Sequence, residues 1–278
     1  TGTERLLWTG RMPMFPGMGY PLVPGYESVG RIREAGPRSG HAVGERVFVP
    51  GARCYSEVKG LFGGAASRVV VPGQRAFTVS DSLGESAVLL ALAATAYHAV
   101  AGGGLRDPIV PPDLIVGHGV MGRLLARLTV LAEFPAPTVW ETNPERAQGA
   151  EGYSVVRPED DPRRDYKAIY DVSGDSAILD QLIARLAPGG EVVLAGFYSA
   201  PLSFSFPPAF MREAQIRAAA EWKPADMLAV REIAESGYLD LGGLITHHED
   251  ASQAERAYRT AFGDTGCLKM VLDWRATA

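Results

Sequence analysis

The stretch DLIVGHGVMGRLLARL, residues 113–128, decides the fold of this chain of 278 residues. It opens with an apolar run that is typical of a buried strand and continues with apolar spacing that is typical of a helix. Between the two, Gly117, Gly119 and Gly122 form the pattern GxGxxG, which encloses Val120 and Met121. Bare backbone at a helix N-terminus can receive a pyrophosphate. The stretch therefore predicts a strand, a turn and a helix that bind a dinucleotide.

The residue that follows the next predicted strand indicates which dinucleotide is bound. Glu141 ends the run TVWE and stands 19 residues after Gly122. A carboxylate at this place accepts hydrogen bonds from the adenosine ribose diol and repels a 2′-phosphate, so the pattern favours NAD over NADP. The alternative interpretation is a glycine-rich turn that closes a helix onto a strand, with Glu141 as a solvated cap.

The rest of the chain follows two different patterns. Residues 1–83 contain short strand-like runs between Gly and Pro residues, RVFVP and SRVVVP, and are predicted to be β-rich. After residue 112 the strand candidates are DLIVG, TVWE, YSVV, AIYDV and EVVLAGF, and helix-compatible runs such as VMGRLLARLTVLA and SAILDQLIARLAP separate them. This alternation predicts a doubly wound parallel sheet, hence an α/β fold. The tail is predicted to form a helix, SQAERAYRTAFG, and a final strand, CLKMVLDW.

Composition and charge exclude several classes of protein. A hydrophobic content of 46% and a net charge of −5, without a run of Lys or Arg, predict a globular chain that does not bind nucleic acid. The apolar segment 86–104 contains Tyr97 and His98 and is predicted to be a buried helix, with His98 a hydrogen-bonded core residue, and no integral membrane segment is expected. Cys54 and Cys267 cannot form a disulfide framework, which is typical of a reducing cytoplasm.

Several short motifs stand in the order and spacing of a known superfamily. They are TGTE at 1–4, GYE at 25–27, VGERV at 43–47, TAYHAV at 95–100 and GLITH at 243–247. With the GxGxxG pattern, they resemble the medium-chain dehydrogenase/reductase superfamily along nearly the whole chain. The resemblance implies a GroES-like catalytic domain of residues 1–95 and 222–278, interrupted by a Rossmann domain of residues 96–221. It also implies that a few dozen residues, with some strands of the first domain, precede the sequence given.

The same resemblance implies a dehydrogenase without zinc. Zinc-dependent members hold their catalytic zinc at three positions that are occupied here by Thr1, Tyr26 and Ala91. None of these residues is a usual zinc ligand. Structural zinc in the superfamily needs four cysteines, whereas Cys54 stands alone in its segment.

One branch of the superfamily is more similar than the rest. The runs that carry this similarity are TGTERLLWTGRMPMFPGMGYPLVPGYESVG, GLFGGAA, DLIVGHGVMGRLLARL and AFMREAQIRAAAEW. They resemble the branch that acts on precursors of bacteriochlorophyll a. The resemblance implies a tetrapyrrole substrate whose 3-(1-hydroxyethyl) group is oxidised to 3-acetyl, with NAD as hydride acceptor. The resemblance also implies a homodimer, because members of the superfamily commonly pair through the edges of their Rossmann sheets.

Three residues are candidates for handling the alcohol proton. Tyr26 can accept it if the pKa of the phenol falls towards neutrality. The neighbouring Glu27 would raise that pKa, so Glu27 is interpreted as an orienting group. Thr3 aligns with the Ser or Thr that relays the proton in zinc-dependent relatives. The alternatives are a packing role for Tyr26 and a structural hydrogen-bond acceptor in Glu27.

Further site residues follow from composition and from the resemblance. An apolar series broken by Pro and Gly fits no helix stripe and suits a flat macrocycle, although it could also be ordinary core: Trp8, Met14, Phe15, Met18 and Tyr20. The resemblance implies that the segments DVSG and AGF border the coenzyme, through Val172, Ser173, Gly196 and Phe197. Two rival functions stay open at this point, a zinc-free quinone or enone reductase and a nucleotide-binding subunit without catalytic activity.

Overall fold

The structure is a computed structural model that describes residues 2–14, 16–101 and 110–276. The helices are α1 (Gly2–Trp8), α2 (Leu90–Val100), α3 (Val120–Leu131), α4 (Leu179–Ile183), α5 (Phe206–Met211), α6 (Pro224–Glu235) and α7 (Ala254–Gly263). The strands are β1 (Leu22–Val23), β2 (Ser28–Arg31), β3 (Arg46–Val49), β4 (Lys59–Gly60), β5 (Phe77–Thr78), β6 (Leu114–Val116), β7 (Thr138–Trp140), β8 (Ser154–Val156), β9 (Tyr166–Asp171), β10 (Leu186–Leu194), β11 (Gln215–Ala218), β12 (His247–Asp250) and β13 (Met270–Asp273).

The chain divides into two compact units. The first unit contains Thr3–Ala91 and Ala229–Ala278, and the second contains Leu92–Leu228. The divisions fall inside α2 and α6, near the domain limits of residues 95 and 222 that the resemblance implies. Those limits stay a prediction, and each unit is described by itself below.

The second unit is built on a parallel sheet. Within the described residues its strands lie in the order β8-β7-β6-β9-β10-β11, and each neighbouring pair is parallel. This is the doubly wound order, in which the chain starts at the centre of the sheet and reverses direction once. The predicted α/β fold class and the strand runs of this region are confirmed.

Burial explains why these strands are so apolar. Both faces of a parallel sheet are covered by helices, so its central strands carry apolar residues at successive positions. All three residues of β6 are buried, and Leu114 packs in one core with Ile169 of β9 and Leu182 of α4. The predicted helix SAILDQLIARLAP is shorter than expected, because it ends at Ile183 and Leu186 already pairs with Tyr166 in the sheet.

The first unit contains smaller sheets. β2, β3 and β5 form an antiparallel sheet, while β1 pairs with β4 and β12 pairs with β13 in parallel. The strand predicted for SRVVVP is wrong, since residues 67–72 form no strand. Val70 within that run is 78% exposed, and β3 takes Phe77 and Thr78 as its partners instead. A β-branched run forms a strand only where a neighbour can pair with it.

The apolar segment before the parallel sheet is a packed helix. α2 is preceded by a 3-10 helical stretch, Asp81–Leu89, which is broken at Gly84 (φ 50°, ψ −143°). By length and composition, Asp81–Val100 is the one stretch of the described residues apolar enough to cross a membrane, but 61% of its apolar window is buried within the protein. His98 is buried, as predicted, and its Nδ1 lies 2.7 Å from Oδ2 of Asp226. Residues 102–104 of the predicted helix lie outside the described residues.

Candidate active site

The glycine-rich turn between β6 and α3 leaves open space where a ligand would need it. Gly117 has φ +103°, and a Cβ atom at Gly122 would lie 1.8 Å from the carbonyl oxygen of Gly117, so only glycine fits there. Gly119 precedes α3 without a side-chain cap, and a Cβ atom on it would meet nothing within 4 Å. Val120 is buried and Met121 is half-buried. The N–H groups of the first helical turn and the helix dipole therefore offer a place for an anion.

The carboxylate of Glu141 is held beside this turn by main-chain donors. Oε2 accepts a hydrogen bond from the N–H of His118 at 3.0 Å. Oε1 accepts from the N–H groups of Thr142 and Asn143, both at 2.8 Å. Glu141 follows β7, at the carboxyl end of the strand next to β6, which is where ligands of doubly wound sheets bind. The orientation of this carboxylate is therefore set before any ligand arrives.

The side chain of His118 points into the protein. It is fully buried, with Nδ1 2.6 Å from the carbonyl oxygen of Arg146 and Nε2 2.8 Å from the hydroxyl of Tyr153. Burial lowers the pKa of His118 to about 4, so the ring is neutral at pH 7. Because a carbonyl only accepts, Nδ1 carries the proton and Nε2 accepts from Tyr153.

A buried arginine forms hydrogen bonds with the glycine-rich turn and with the segment after Glu141. Arg123 of α3 is 6% exposed. Its Nε donates to the carbonyl of His118 at 3.2 Å, and its Nη2 donates to those of Arg146 and Gln148 at 2.9 and 2.7 Å. Its Nη1 donates to Gly149 at 3.3 Å. The guanidinium is thus surrounded by main-chain carbonyls. Sequence reasoning missed Arg123, because nothing in GRLLARL marks it as buried.

The two further segments implied to border the coenzyme lie side by side. A Cβ atom on Gly196 would lie 3.3 Å from Cα of Val172, and one on Gly117 would lie 3.5 Å from Cα of Ser173. Phe197 is 48% exposed. The carboxyl ends of β6, β7, β9 and β10 therefore bring all the predicted coenzyme residues of the second unit to one edge of the sheet.

A buried carboxylate ties these two segments together. Asp171 ends β9 and is fully buried. Its Oδ1 accepts from the N–H of Ser173 at 2.9 Å, and its Oδ2 accepts from the hydroxyl of Tyr198 at 2.8 Å. Burial raises the pKa of Asp171. The segment DVSG contains Asp171, but sequence reasoning gave that residue no role, and it missed Tyr198, which lies four residues after the end of β10.

One of the candidate proton-handling residues of the first unit, Glu27, takes part in a buried ion pair. Glu27 forms an ion pair with Lys269, and their side chains are 11% and 7% exposed. Tyr26 presents its ring edge-on to Phe62, with the ring centroids 5.0 Å apart. Sequence reasoning missed Lys269, because 242 residues separate it from Glu27. The lysine offsets the negative charge of Glu27.

A second carboxylate belongs to the same cluster. Oε1 of Glu4 accepts a hydrogen bond from the N–H of Gly25 at 3.1 Å. Burial raises the pKa of Glu4, and the charge of Glu27 acts in the same direction. Thr3 precedes Glu4 in α1 and is half-buried. The TGTE motif contained Glu4, but its proximity to the GYE motif could not be read from the sequence.

The predicted substrate-lining residues do not share one environment. Trp8, Met14 and Tyr20 are 47%, 81% and 57% exposed. Met18 instead packs against an apolar cluster that contains Leu7, so it takes part in a core. Phe15 lies outside the described residues.

Trp8 and Tyr20 are each attached to the surface of the first unit. The indole of Trp8 stacks on the ring of Tyr258 in α7, with centroids 5.3 Å apart. The hydroxyl of Tyr20 donates to the carbonyl of Leu7 at 2.5 Å. Both rings are therefore held in place while much of their surface stays accessible.

The residues at the zinc positions do not fit a zinc ion. Tyr26 lies against Phe62, Ala91 is 1% exposed inside α2, and Thr1 lies outside the described residues. Across residues 2–14, 16–101 and 110–276, no group of three His, Cys, Asp or Glu side chains is arranged to hold a metal ion. We therefore derive no catalytic step through zinc.

Known proteins are similar to this chain both in sequence and in fold. Residues 1–81 match the alcohol dehydrogenase GroES-like domain family. The 2-desacetyl-2-hydroxyethyl bacteriochlorophyllide A dehydrogenase of Cereibacter sphaeroides is 58% identical over 283 residues, covering 100% of this chain and 88% of that protein. The protein of the same name from Rhodobacter capsulatus is 58% identical over 276 residues, covering 99% and 87%.

The chain belongs to this family of medium-chain dehydrogenases.

Membership of the family confirms the resemblance drawn from the sequence motifs. The chain is an oxidoreductase of the alcohol dehydrogenase class.

Solved structures agree on the fold. A short chain alcohol dehydrogenase from Escherichia coli CFT073, complexed with NADH, has a TM-score of 0.79 at 22% identity and covers 98% of this chain and 88% of its own. A zinc-binding dehydrogenase from Sinorhizobium meliloti 1021, bound to NADP, has a TM-score of 0.80 at 19% identity, with 98% and 89% covered. At these identities the likeness shows the fold alone.

Proposed function

We propose that this chain oxidises the 3-(1-hydroxyethyl) group of a chlorophyllide or bacteriochlorophyllide to 3-acetyl, as a step of bacteriochlorophyll a biosynthesis. The observation that carries the proposal is the 58% identity, over the whole chain, to dehydrogenases named for a hydroxyethyl bacteriochlorophyllide. The substrate is then a tetrapyrrole, and its reacting group is a secondary alcohol.

The proposed chemistry separates a hydride from a proton. The carbinol C–H bond breaks with its electron pair, the O–H bond gives up a proton, and a C=O bond forms. A nicotinamide coenzyme, when bound, supplies the acceptor for the hydride. Tyr26 is the proposed acceptor for the proton, because its phenol stands at a position where zinc-dependent relatives hold the metal, and a phenol can act as a general base.

The coenzyme side supports a nicotinamide dinucleotide, and NAD in particular. The open N-terminus of α3 suits a pyrophosphate. The carboxylate of Glu141 stands where a 2′-phosphate would be repelled. Arg123, a neighbouring cation that could otherwise offset this repulsion, directs its guanidinium to main-chain carbonyls.

The proposal includes catalysis without zinc. Its support is the chemistry of the side chains at the positions where zinc-dependent relatives hold the metal, because Tyr26 and Ala91 offer no usual zinc ligand. The substrate makes this plausible in chemical terms. Positive charge that develops at the carbinol carbon can delocalise into the conjugated macrocycle, so less Lewis-acid assistance is required.

The function can be tested with the purified chain, NAD and a 3-(1-hydroxyethyl) chlorin. We expect NADH and the 3-acetyl product in equal amounts, measured by absorbance and by chromatography, and unchanged turnover after treatment with EDTA. Elemental analysis should find no stoichiometric zinc.

Three outcomes would contradict this proposal or a part of it. Turnover of quinones or enones with NADPH, without turnover of the chlorin, would identify a reductase instead. Binding of NAD without turnover of either substrate class would indicate a nucleotide-binding subunit. One zinc ion per chain, with activity lost to EDTA, would overturn the zinc-free mechanism alone.

We also propose that two copies of the chain pair through β11. This strand is the edge of the parallel sheet, and three of its four residues are exposed. Next to it, Phe206, Phe210 and Met211 of α5 are 67%, 65% and 76% exposed. An edge strand flanked by exposed apolar side chains is an unfavourable surface in a monomer. A second copy related by a two-fold axis would cover both edges at once.

Sedimentation equilibrium tests the dimer. We expect twice the chain mass of 29.7 kDa for the wild type, and a monomer for Phe210→Glu, which places a charge in the apolar face. Tyr238→Glu is the control, because Tyr238 is a 76% exposed aromatic of the first unit. A wild type that sediments as a monomer at micromolar concentration would contradict the proposal.

A further inference from the structure

We propose that His118 is a positioning residue for the adenosine half of the coenzyme site, acting through Glu141. This inference rests on the proposed function, because it assumes that Glu141 faces the adenosine ribose. It assigns a role to the variable residue of the glycine pattern, between Gly117 and Gly119.

The first step of the argument is the connection that His118 makes. The chain leaves β7 at Glu141 and enters β8 after Tyr153, and the segment between them borders the predicted ribose site. The His118 ring bonds to this segment at two places, the carbonyl of Arg146 and the hydroxyl of Tyr153, at 2.6 and 2.8 Å. The main-chain N–H of the same residue bonds to Oε2 of Glu141. One residue therefore links the glycine-rich turn to both ends of the segment.

The second step concerns the free lone pairs of Glu141. Each carboxylate oxygen accepts about two hydrogen bonds. Oε1 already accepts from Thr142 and Asn143, whereas His118 is the one main-chain donor to Oε2 among the residues that the structure describes. A ribose hydroxyl would therefore meet Oε2. The direction of that oxygen depends on the N–H of His118, whose position depends in turn on the buried ring.

The third step is that imidazole suits this place better than other side chains. A neutral ring donates from one nitrogen and accepts at the other, which matches a carbonyl on one side and a phenol on the other. Its low pKa keeps the ring in this form at pH 7. A phenylalanine of similar shape would leave the half-buried hydroxyl of Tyr153 without this partner, and the segment could avoid this cost by moving.

Binding of ADP-ribose tests the inference, because this ligand contains the adenosine half of NAD and lacks the nicotinamide. In His118→Phe and Tyr153→Phe, calorimetry should show about tenfold weaker binding of both ADP-ribose and NAD. The turnover number at saturating NAD should stay that of the wild type. A merely destabilised protein would instead lose active fraction, lowering turnover without changing the dissociation constants.

Controls separate this effect from a general loss of stability. His248→Phe replaces an exposed histidine that pairs with Glu85 in the first unit, and it should bind both ligands like the wild type. The double variant His118→Phe/Tyr153→Phe should lose less affinity than the two single losses combined, since no hydroxyl is then left unpaired.

Two results would overturn the inference while leaving the proposed function intact. One is wild-type affinity of both single variants for ADP-ribose, which would mean that Arg123 alone holds the segment. The other is weaker NAD binding with unchanged ADP-ribose binding. If the wild type binds neither ligand, the proposed function fails, and the inference fails with it.

Discussion

Tyr26→Phe is expected to oxidise the 3-(1-hydroxyethyl) substrate about 10²- to 10⁴-fold more slowly than the wild type, the usual contribution of general acid-base catalysis. The change removes only the phenolic oxygen and keeps the edge-on contact with Phe62, so the fold and the affinity for NAD should be retained. Single-turnover formation of NADH at saturating NAD measures the effect directly. Substrate deuterated at the carbinol carbon shows whether hydride transfer limits that rate.

Thr3→Val tests the competing path for the proton. If Thr3 relays the proton and Tyr26 only packs, Thr3→Val is the slow variant and Tyr26→Phe resembles the wild type. Lys269→Met gives an independent comparison, because it removes the cation that pairs with Glu27 and should slow turnover if this ion pair supports the proton acceptor. Normal hydride transfer in both Tyr26→Phe and Thr3→Val would show that neither residue accepts the proton.

Glu141→Ala is expected to reduce the preference for NAD over NADP by about 1 to 3 kcal/mol, or roughly 5- to 150-fold. The substitution removes both the acceptor for the ribose hydroxyls and the charge that repels a 2′-phosphate. Dissociation constants for the two coenzymes, measured side by side, give the preference directly.

Two further variants test whether the change in coenzyme preference is specific to the charge of Glu141. Glu141→Gln keeps a hydrogen-bond acceptor and removes the charge, so it should improve NADP binding with a smaller loss of NAD affinity. Glu159→Ala removes an exposed carboxylate that pairs with Arg157 at the surface, and it should leave both affinities unchanged. If Glu141→Ala still binds NAD normally and still rejects NADP, Glu141 does not face the ribose.

The sequence by itself determined the α/β fold and the coenzyme edge of the parallel sheet. Gly117, Gly119 and Gly122 stand within six residues, and Glu141 follows the next strand, so chain connectivity alone brings them together. Apolar runs of a parallel sheet are recognisable because both of its faces are buried. Local patterns of this kind can be interpreted without knowledge of the rest of the chain.

Local patterns failed where pairing decides the outcome. The run SRVVVP has the composition of a strand, but β3 pairs with Phe77 and Thr78 instead. The helix after β9 is short because the chain has to enter β10 at Leu186. Strand pairing depends on partner strands that are distant in sequence. The composition of a run therefore does not show whether a partner strand is present.

Only the tertiary structure decided the charges around the candidate site residues. Glu27 and Lys269 meet although 242 residues separate them, and their pairing offsets the charge of Glu27. His118 appeared to belong to the ligand-facing turn, yet its ring is buried and neutral. The physical reason is the same in both cases. A charge or a pKa depends on burial and on partners in space, and folding supplies these after the local pattern has been set.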